Sequence, residues 1–354
     1  MKKIRQKIRK KEAKNTSSGA ITNQTIAEHR EKILAGGRRF KYPHQYVRHK
    51  LVINAILISV VAVVGLTVLG WWQLYKEQNT SEFMYRVTSF VPVPVASVDG
   101  YNVRYSDYLL RYRASEKYLR DDARVNLSGQ DGKRQLDFMK RSVLDLVERN
   151  SFAEKIAKEK NIRISDKEVQ DVVDGHRKTA NGVVSQEVYD ISTQDTLGLS
   201  YDEYRQLIKQ SLVSRAAAYA IDDEANRLQE SIAAHLAKNK RQSLREATSA
   251  LQKVSASIQY GVSGEVPLNN QDRGLPQLAS TLKQGQVSNV FKSSNGDGYY
   301  FVRLIKKTNR TIEYEFISAP LREFEQRFNR LKSDGKVSEY INIPDAKLEN
   351  FEVK

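Results

Sequence analysis

Residues 51–72 read LVINAILISVVAVVGLTVLGWW. No charged residue falls in this run, and Asn54, Ser59 and Thr67 are its only polar side chains. As a helix it spans roughly 33 Å, the hydrocarbon thickness of a bilayer. A charge-free run of this length is unusual for the core helix of a soluble domain. A cleaved signal peptide is the more serious rival. Against it, the run is long for an h-region, begins some fifty residues into the chain, and has no A-x-A site close behind it. The reading is a retained single-pass anchor, placed at 51–73.

The flanks give the anchor a direction. Residues 1–50 hold fifteen Lys/Arg and three Glu, so about +12 of the net +16 lies before the span. A basic tail beside an apolar helix is the positive-inside pattern, which accounts for the charge without nucleic acid. It predicts a cytoplasmic N-terminus, a disordered topogenic tail able to touch anionic headgroups, and an extracytoplasmic remainder. Trp71, Trp72 and Tyr75 then mark the outer interface. The chain has no cysteine, so the outer part holds itself together without disulfides. Of five histidines, His29, His44 and His49 precede the span, leaving His176 and His235. HExxH, GxSxG and P-loop patterns are absent. No cofactor or metal site is expected, and a hydrolase reading finds no nucleophile–base pair.

Residues 74–95 read as a short linker ending in FVPVPV, an extended path. Val98-Asp99-Gly100-Tyr101 is a hairpin signal. After it, Tyr101, Tyr105, Tyr108 and Tyr112 recur at helical spacing. They fit half-buried packing or an amphipathic surface for unfolded segments. A long helix over about 133–160 carries the stripe Leu136, Met139, Val143, Leu146, Val147. Ser165-x-x-Glu168 and Ser200-x-x-Glu203 are capping boxes opening further helices. Asp222-Asp223-Glu224 reads as charge at a helix N-terminus rather than a calcium loop. Past Ser255 glycines and prolines appear and strands replace helices, with candidates at 258–266, 299–306, 312–318 and 337–343, and a helix from Pro320. Glu313 and Glu315 alternate with apolar residues, as solvent-facing strand carboxylates do.

VDGYNVRYSDYLLRY, ISDKEVQDVV, SYDEYRQLIKQSLVSRAA and LPQLASTLKQGQVSNVFKSSNGDGYYFVRLIKK occur in an order that resembles the SurA/PrsA-type extracytoplasmic foldases. In these a helical chaperone part accompanies a parvulin-type peptidyl-prolyl isomerase domain. The resemblance implies an α+β chain: basic cytoplasmic tail (1–50), transmembrane helix (51–73), linker (74–95), helical SurA N-like domain (96–221), degenerate parvulin-like domain with a small sheet (222–307), and a strand-helix-strand extension (308–354). The departures bear on mechanism. Tyr300 follows Gly298-Tyr299 where parvulins usually place His, and 214–221 prefers helix where a first strand with another His is usual. The strand at 312–318 is expected to fill that missing sheet position.

Prolyl rotation breaks no bond, so an apolar pocket that desolvates the amide can serve without the His pair. Phe291, Tyr299, Tyr300 and Phe301 are the candidate substrate-binding residues there. Tyr105, Tyr108 and Tyr112 are the candidates in the helical part. The implied function is a membrane-anchored foldase for unfolded or newly secreted polypeptides, with prolyl isomerase activity as an added property. The alternative is a non-catalytic envelope scaffold using the same fold to hold one partner. The expected partners are client chains and membrane lipid, with no nucleic acid.

Overall fold

The computed structural model describes residues 22–41, 43–179, 182–239 and 241–344. The first 21 residues of the basic tail and the last ten of the C-terminal extension lie outside them. The chain divides into two compact units, Met1–Trp72 and Gln73–Lys354.

In the first unit, α1 (Asn23–Lys41) is helical where the sequence reads as disordered tail. Its start is fixed locally: the Thr22 N–H donates to Thr25 Oγ1 and the Thr25 hydroxyl to the Thr22 carbonyl. α2 (Pro43–Trp71) carries the apolar run and continues as a π-helical turn, Trp72–Lys76. Lys50–Lys76 is long and apolar enough to cross a membrane, with a mean hydropathy of 2.7 over its most apolar 18 residues.

The second unit begins with α3 (Glu82–Phe90), capped by Ser81, inside the stretch read as a linker. The prolines of FVPVPV only mark its end. β1 (Pro94–Val98) and β2 (Tyr101–Arg104) form the expected hairpin. Asp99 and Gly100 have φ of 47° and 78°, the positive pair that a tight two-residue turn requires. α4 (Tyr105–Lys117) runs into a π-helical turn, Tyr118–Asp122, and α5 (Gly129–Glu159) follows. Both expected capping boxes are present, at the starts of α6 (Asp166–His176) and α8 (Tyr201–Ile221). Between them lie a two-residue ribbon, β3 (Lys178–Thr179) with β4 (Gly182–Val183), and α7 (Gln186–Leu197).

α9 (Asp223–Lys238) and α10 (Leu244–Leu251) lead into a five-stranded antiparallel sheet. Its members are β5 (Gln259–Val262), β6 (Val266–Pro267), β7 (Phe291–Lys292), β8 (Gly298–Lys307) and β9 (Thr311–Pro320), with α11 (Leu275–Ser280) between β6 and β7. The order is β5-β9-β8-β7, with β6 also on β9. So β9 holds an interior position, and residues 214–221 are helical. Pro320 closes β9 rather than opening a helix, and α12 (Glu323–Ser333) starts three residues later.

The C-terminal strand β10 (Val337–Glu339) returns to pair antiparallel with β1, matching Ala96 with Glu339. Residues from both ends therefore close one core. Val95, Val103, Tyr105, Leu109, Val143 and Leu144 pack there with Phe324, Phe328, Ile341 and Ile343. The sheet separates two further cores. Tyr299, Phe301 and Ile317 face α9 and α10 on one side. Tyr300, Val302, Leu304, Ile312 and Tyr314 face α11 on the other.

Candidate functional site

The tyrosines of α4 point inward. Tyr105, Tyr108 and Tyr112 are all buried in the first core. Tyr105 and Tyr108 meet edge to face at 5.8 Å, and Tyr108 stacks on Tyr112 at 6.1 Å. The Tyr105 hydroxyl donates to the Leu74 carbonyl at 2.6 Å. Burial pushes all three phenols up. The three form a ladder that ties α4 to Leu74.

The β8 residues are divided by strand alternation, which sends neighbours to opposite faces. Tyr299 and Phe301 lie in the core under α9, where Tyr299 bonds Asn226 Oδ1 at 2.5 Å and meets Tyr219 at 5.0 Å. Tyr300 lies on the other face, opposite Phe291 in the ladder and 5.4 Å from the Phe316 ring. Its hydroxyl donates to Asp297 Oδ2 at 3.0 Å, and burial pushes its phenol up. Phe291 and Tyr299 both line a mixed cleft of about 620 Å³ that Arg215, Tyr219 and Lys292 also line. There the Lys292 ammonium lies over the Tyr219 and Tyr299 rings, at 5.0 and 5.9 Å.

The polar candidates have structural partners. Glu315 is buried, with Tyr260 donating at 2.7 Å and Arg303 Nε at 2.5 Å, so it does not face solvent as its alternation suggests. His176 Nδ1 pairs with the Tyr204 hydroxyl and His235 Nε2 with Gln242 Oε1. Among the described residues, no three His, Asp or Glu side chains are grouped to hold a metal.

An apolar recess lies elsewhere, between α4, α5, α7 and α8. It has a volume of about 850 Å³. Met139 and Val143 of α5 are buried at its floor, and Phe138 and Leu146 of the same helix line it. Tyr118 and Leu119 of the π-helical turn form one wall, Leu197 and Leu207 the other. Leu146 and Tyr118 are 42 % and 43 % exposed, so the recess opens to water with apolar side chains at its mouth. Its charged member is Arg111. One of its terminal nitrogens donates to Gln210 Oε1 at 2.8 Å, and its Nε has no hydrogen-bond partner. Burial lowers the Arg111 pKa against the pull of Asp107 and Glu154, and raises those two carboxyls. The apolar wall suits the side chains of a polypeptide.

Met139, Val143 and Leu146 are in the stripe the sequence shows. Phe138, Tyr118 and Leu197 are not: Phe138 lies beside the stripe on α5, Tyr118 on the π-helical turn and Leu197 at the end of α7.

Residues 45–218, just under half of the chain, match the family described as the SurA-like N-terminal domain. Every residue named around the apolar recess falls inside the match. No curated protein matches the chain.

Proposed function

We propose that this chain, whose residues 45–218 match the SurA-like N-terminal domain, is a membrane-anchored chaperone that holds unfolded or newly exported polypeptides on the outer side of the membrane. The observation that carries the proposal is the open apolar recess within those residues. An open recess walled by Phe, Tyr, Leu and Met gains by taking apolar segments of many sequences, because dispersion and burial are not directional. The anchor, Lys50–Lys76, keeps such a weak general binder where chains emerge. The basic tail before it supports the cytoplasmic N-terminus.

The test uses the full chain in nanodiscs with a chemically unfolded client. It should suppress client aggregation, and Leu146→Asp should remove most of that suppression. Leu146 is exposed, so this change should leave stability within about 0.5 kcal/mol of the parent. Equal suppression by the variant, or none by the parent, overturns the proposal. A proline-limited refolding assay on the same preparation separates holding from isomerisation. Acceleration of the slow phase adds prolyl turnover, and an unchanged slow phase leaves holding alone. Cross-linking in cells to one stoichiometric protein, instead of many transient ones, would favour the scaffold reading.

A further inference from the structure

We propose that the outer face of α3 lies in the lipid headgroup region of the membrane, as a peripheral attachment beside the spanning helix. This rests on reading Lys50–Lys76 as a membrane span.

α3 has two apolar faces. Met84, Tyr85 and Thr88 turn toward the first core, where Met84 and Tyr85 pack and Thr88 is buried. Phe83, Val87 and Phe90 fall at i, i+4 and i+7 and form the opposite stripe. They are 67 %, 38 % and 90 % exposed, and Val91, at 49 %, extends the stripe past the helix. No other large hydrophobic side chain among the described residues is as exposed as Phe90. Scattered exposed hydrophobics are ordinary, but two Phe and a Val on one face of a nine-residue helix, with a second Val just past its end, are not.

Chain length selects what covers this face. The span ends at Lys76 and α3 begins at Glu82, so five residues separate them. Five residues reach at most about 18 Å when extended. Leu74 and Tyr75 also pack in the same core as Met84 and Tyr85, which shortens the path further. The stripe is thus held within reach of the headgroups, a layer that favours aromatic side chains. A helix with one apolar face and flanking charge lies in that layer with the face down. Arg86, at the edge of the stripe, is paired to Glu82 on its exposed side. Its stem can lie along the apolar boundary while the guanidinium reaches phosphate.

The chain has no cysteine, so single cysteines report cleanly. The full chain carrying Phe83→Cys or Phe90→Cys, labelled with an environment-sensitive fluorophore, is reconstituted in vesicles of equal parts phosphatidylcholine and phosphatidylglycerol. Leu57→Cys marks the span, and Val254→Cys, an exposed site after α10, marks water. A nitroxide at the lipid headgroup should extinguish emission from positions 83 and 90 but not 254, and a mid-chain nitroxide should extinguish position 57. If 83 and 90 behave like 254 while 57 is quenched, the anchor stands and the inference falls. If 57 is not quenched, the anchor reading fails and the inference falls with it. If 90 is shielded from aqueous iodide yet untouched by lipid nitroxide, protein covers the face, which also overturns the inference.

Discussion

Asp222 is buried where two helices begin, and its carboxylate serves both. Oδ1 accepts the Ala225 N–H at 2.8 Å and caps α9. Oδ2 accepts the N–H groups of Arg322 at 2.6 Å and Glu323 at 3.0 Å, at the start of α12. Asp222→Ala leaves three donors without partners and should cost about 3 kcal/mol or more, read from the urea midpoint. Asp222→Asn keeps one accepting oxygen and should lose less. A loss below about 1 kcal/mol for the alanine variant would mean that water replaces the carboxylate. Glu148 of α5 is the other buried carboxylate of consequence. Its side chain is fully buried, and Lys332 of α12 approaches Oε2 at 3.3 Å, with no hydrogen bond to either oxygen. Burial pushes its pKa up from 4.5 to about 7, against the pull of Lys332 and Arg141 and with the help of Glu339. In the unfolded chain Glu148 ionises at its ordinary value. Between that value and about 7 the folded state therefore holds the extra proton, and stability falls as pH rises. The contribution is fully present below the ordinary value and lost above about 7, at most about 3 kcal/mol. Thermal melts at pH 5 and pH 8 should differ more for the parent than for Glu148→Gln. Equal differences would assign the slope to other groups.

Elements differ in how much of them the sequence discloses, and the difference is one of range. The capping boxes at Ser165 and Ser200 are legible because both partners lie within one turn. The hairpin at Asp99-Gly100 is legible for the same reason. The tyrosine row of α4 discloses its period but not its direction, because phenol rings suit a core and a surface alike. α3 is missed because its stabilising face packs on residues far along the chain, and its start, Ser81, resembles any loop serine. The recess is missed as a site because a pattern of apolar residues does not say which of them meet a partner. α5 shows how the recess mouth is held. A Cβ at Gly132 would fall 2.2 Å from the Leu127 backbone carbonyl carbon, so the loop ahead of α5 is folded onto the bare glycine. That loop carries Val125, which lines the recess. Gly132→Ala should push residues 123–128 away, cost about 1–3 kcal/mol, and speed hydrogen exchange there while the sheet keeps its protection. Unchanged exchange in this loop would show that the turn absorbs a methyl without moving.

At the scale of the whole molecule, the chain closes on itself, and no local pattern announces it. The pairing of Ala96 with Glu339 joins the hairpin before α4 to the last strand. Arg141 of α5 reinforces it by gripping Glu339 with two bonds, at 2.7 and 2.6 Å. α12 enters the same core, where Phe324 and Phe328 meet Phe152 of α5 at 5.1 and 6.0 Å. β9 meanwhile stands between β5 and β8, with Ile312 in one core and Ile317 and Ala319 in another. Residues 308–343 thus contribute to the first core and to both cores of the sheet, and truncating after Lys307 should do more than shorten the protein. It removes an interior strand, leaving β5 and β6 without a partner and one edge of β8 unpaired, and it uncovers the aromatic floor of the first core. The truncated chain should show no cooperative urea transition and should bind a hydrophobic dye, while the full chain unfolds cooperatively. Truncation after Gly335 is the graded case, since it spares β9 and α12 and removes only the strand beside β1 and the residues C-terminal to it. That variant should keep the sheet transition and loosen the first core, read as faster hydrogen exchange at Val95–Val98. A cooperative, dye-free transition in the chain ending at Lys307 would mean that β5 and β8 can close the sheet without β9, and that the C-terminal segment is an addition to a fold already complete.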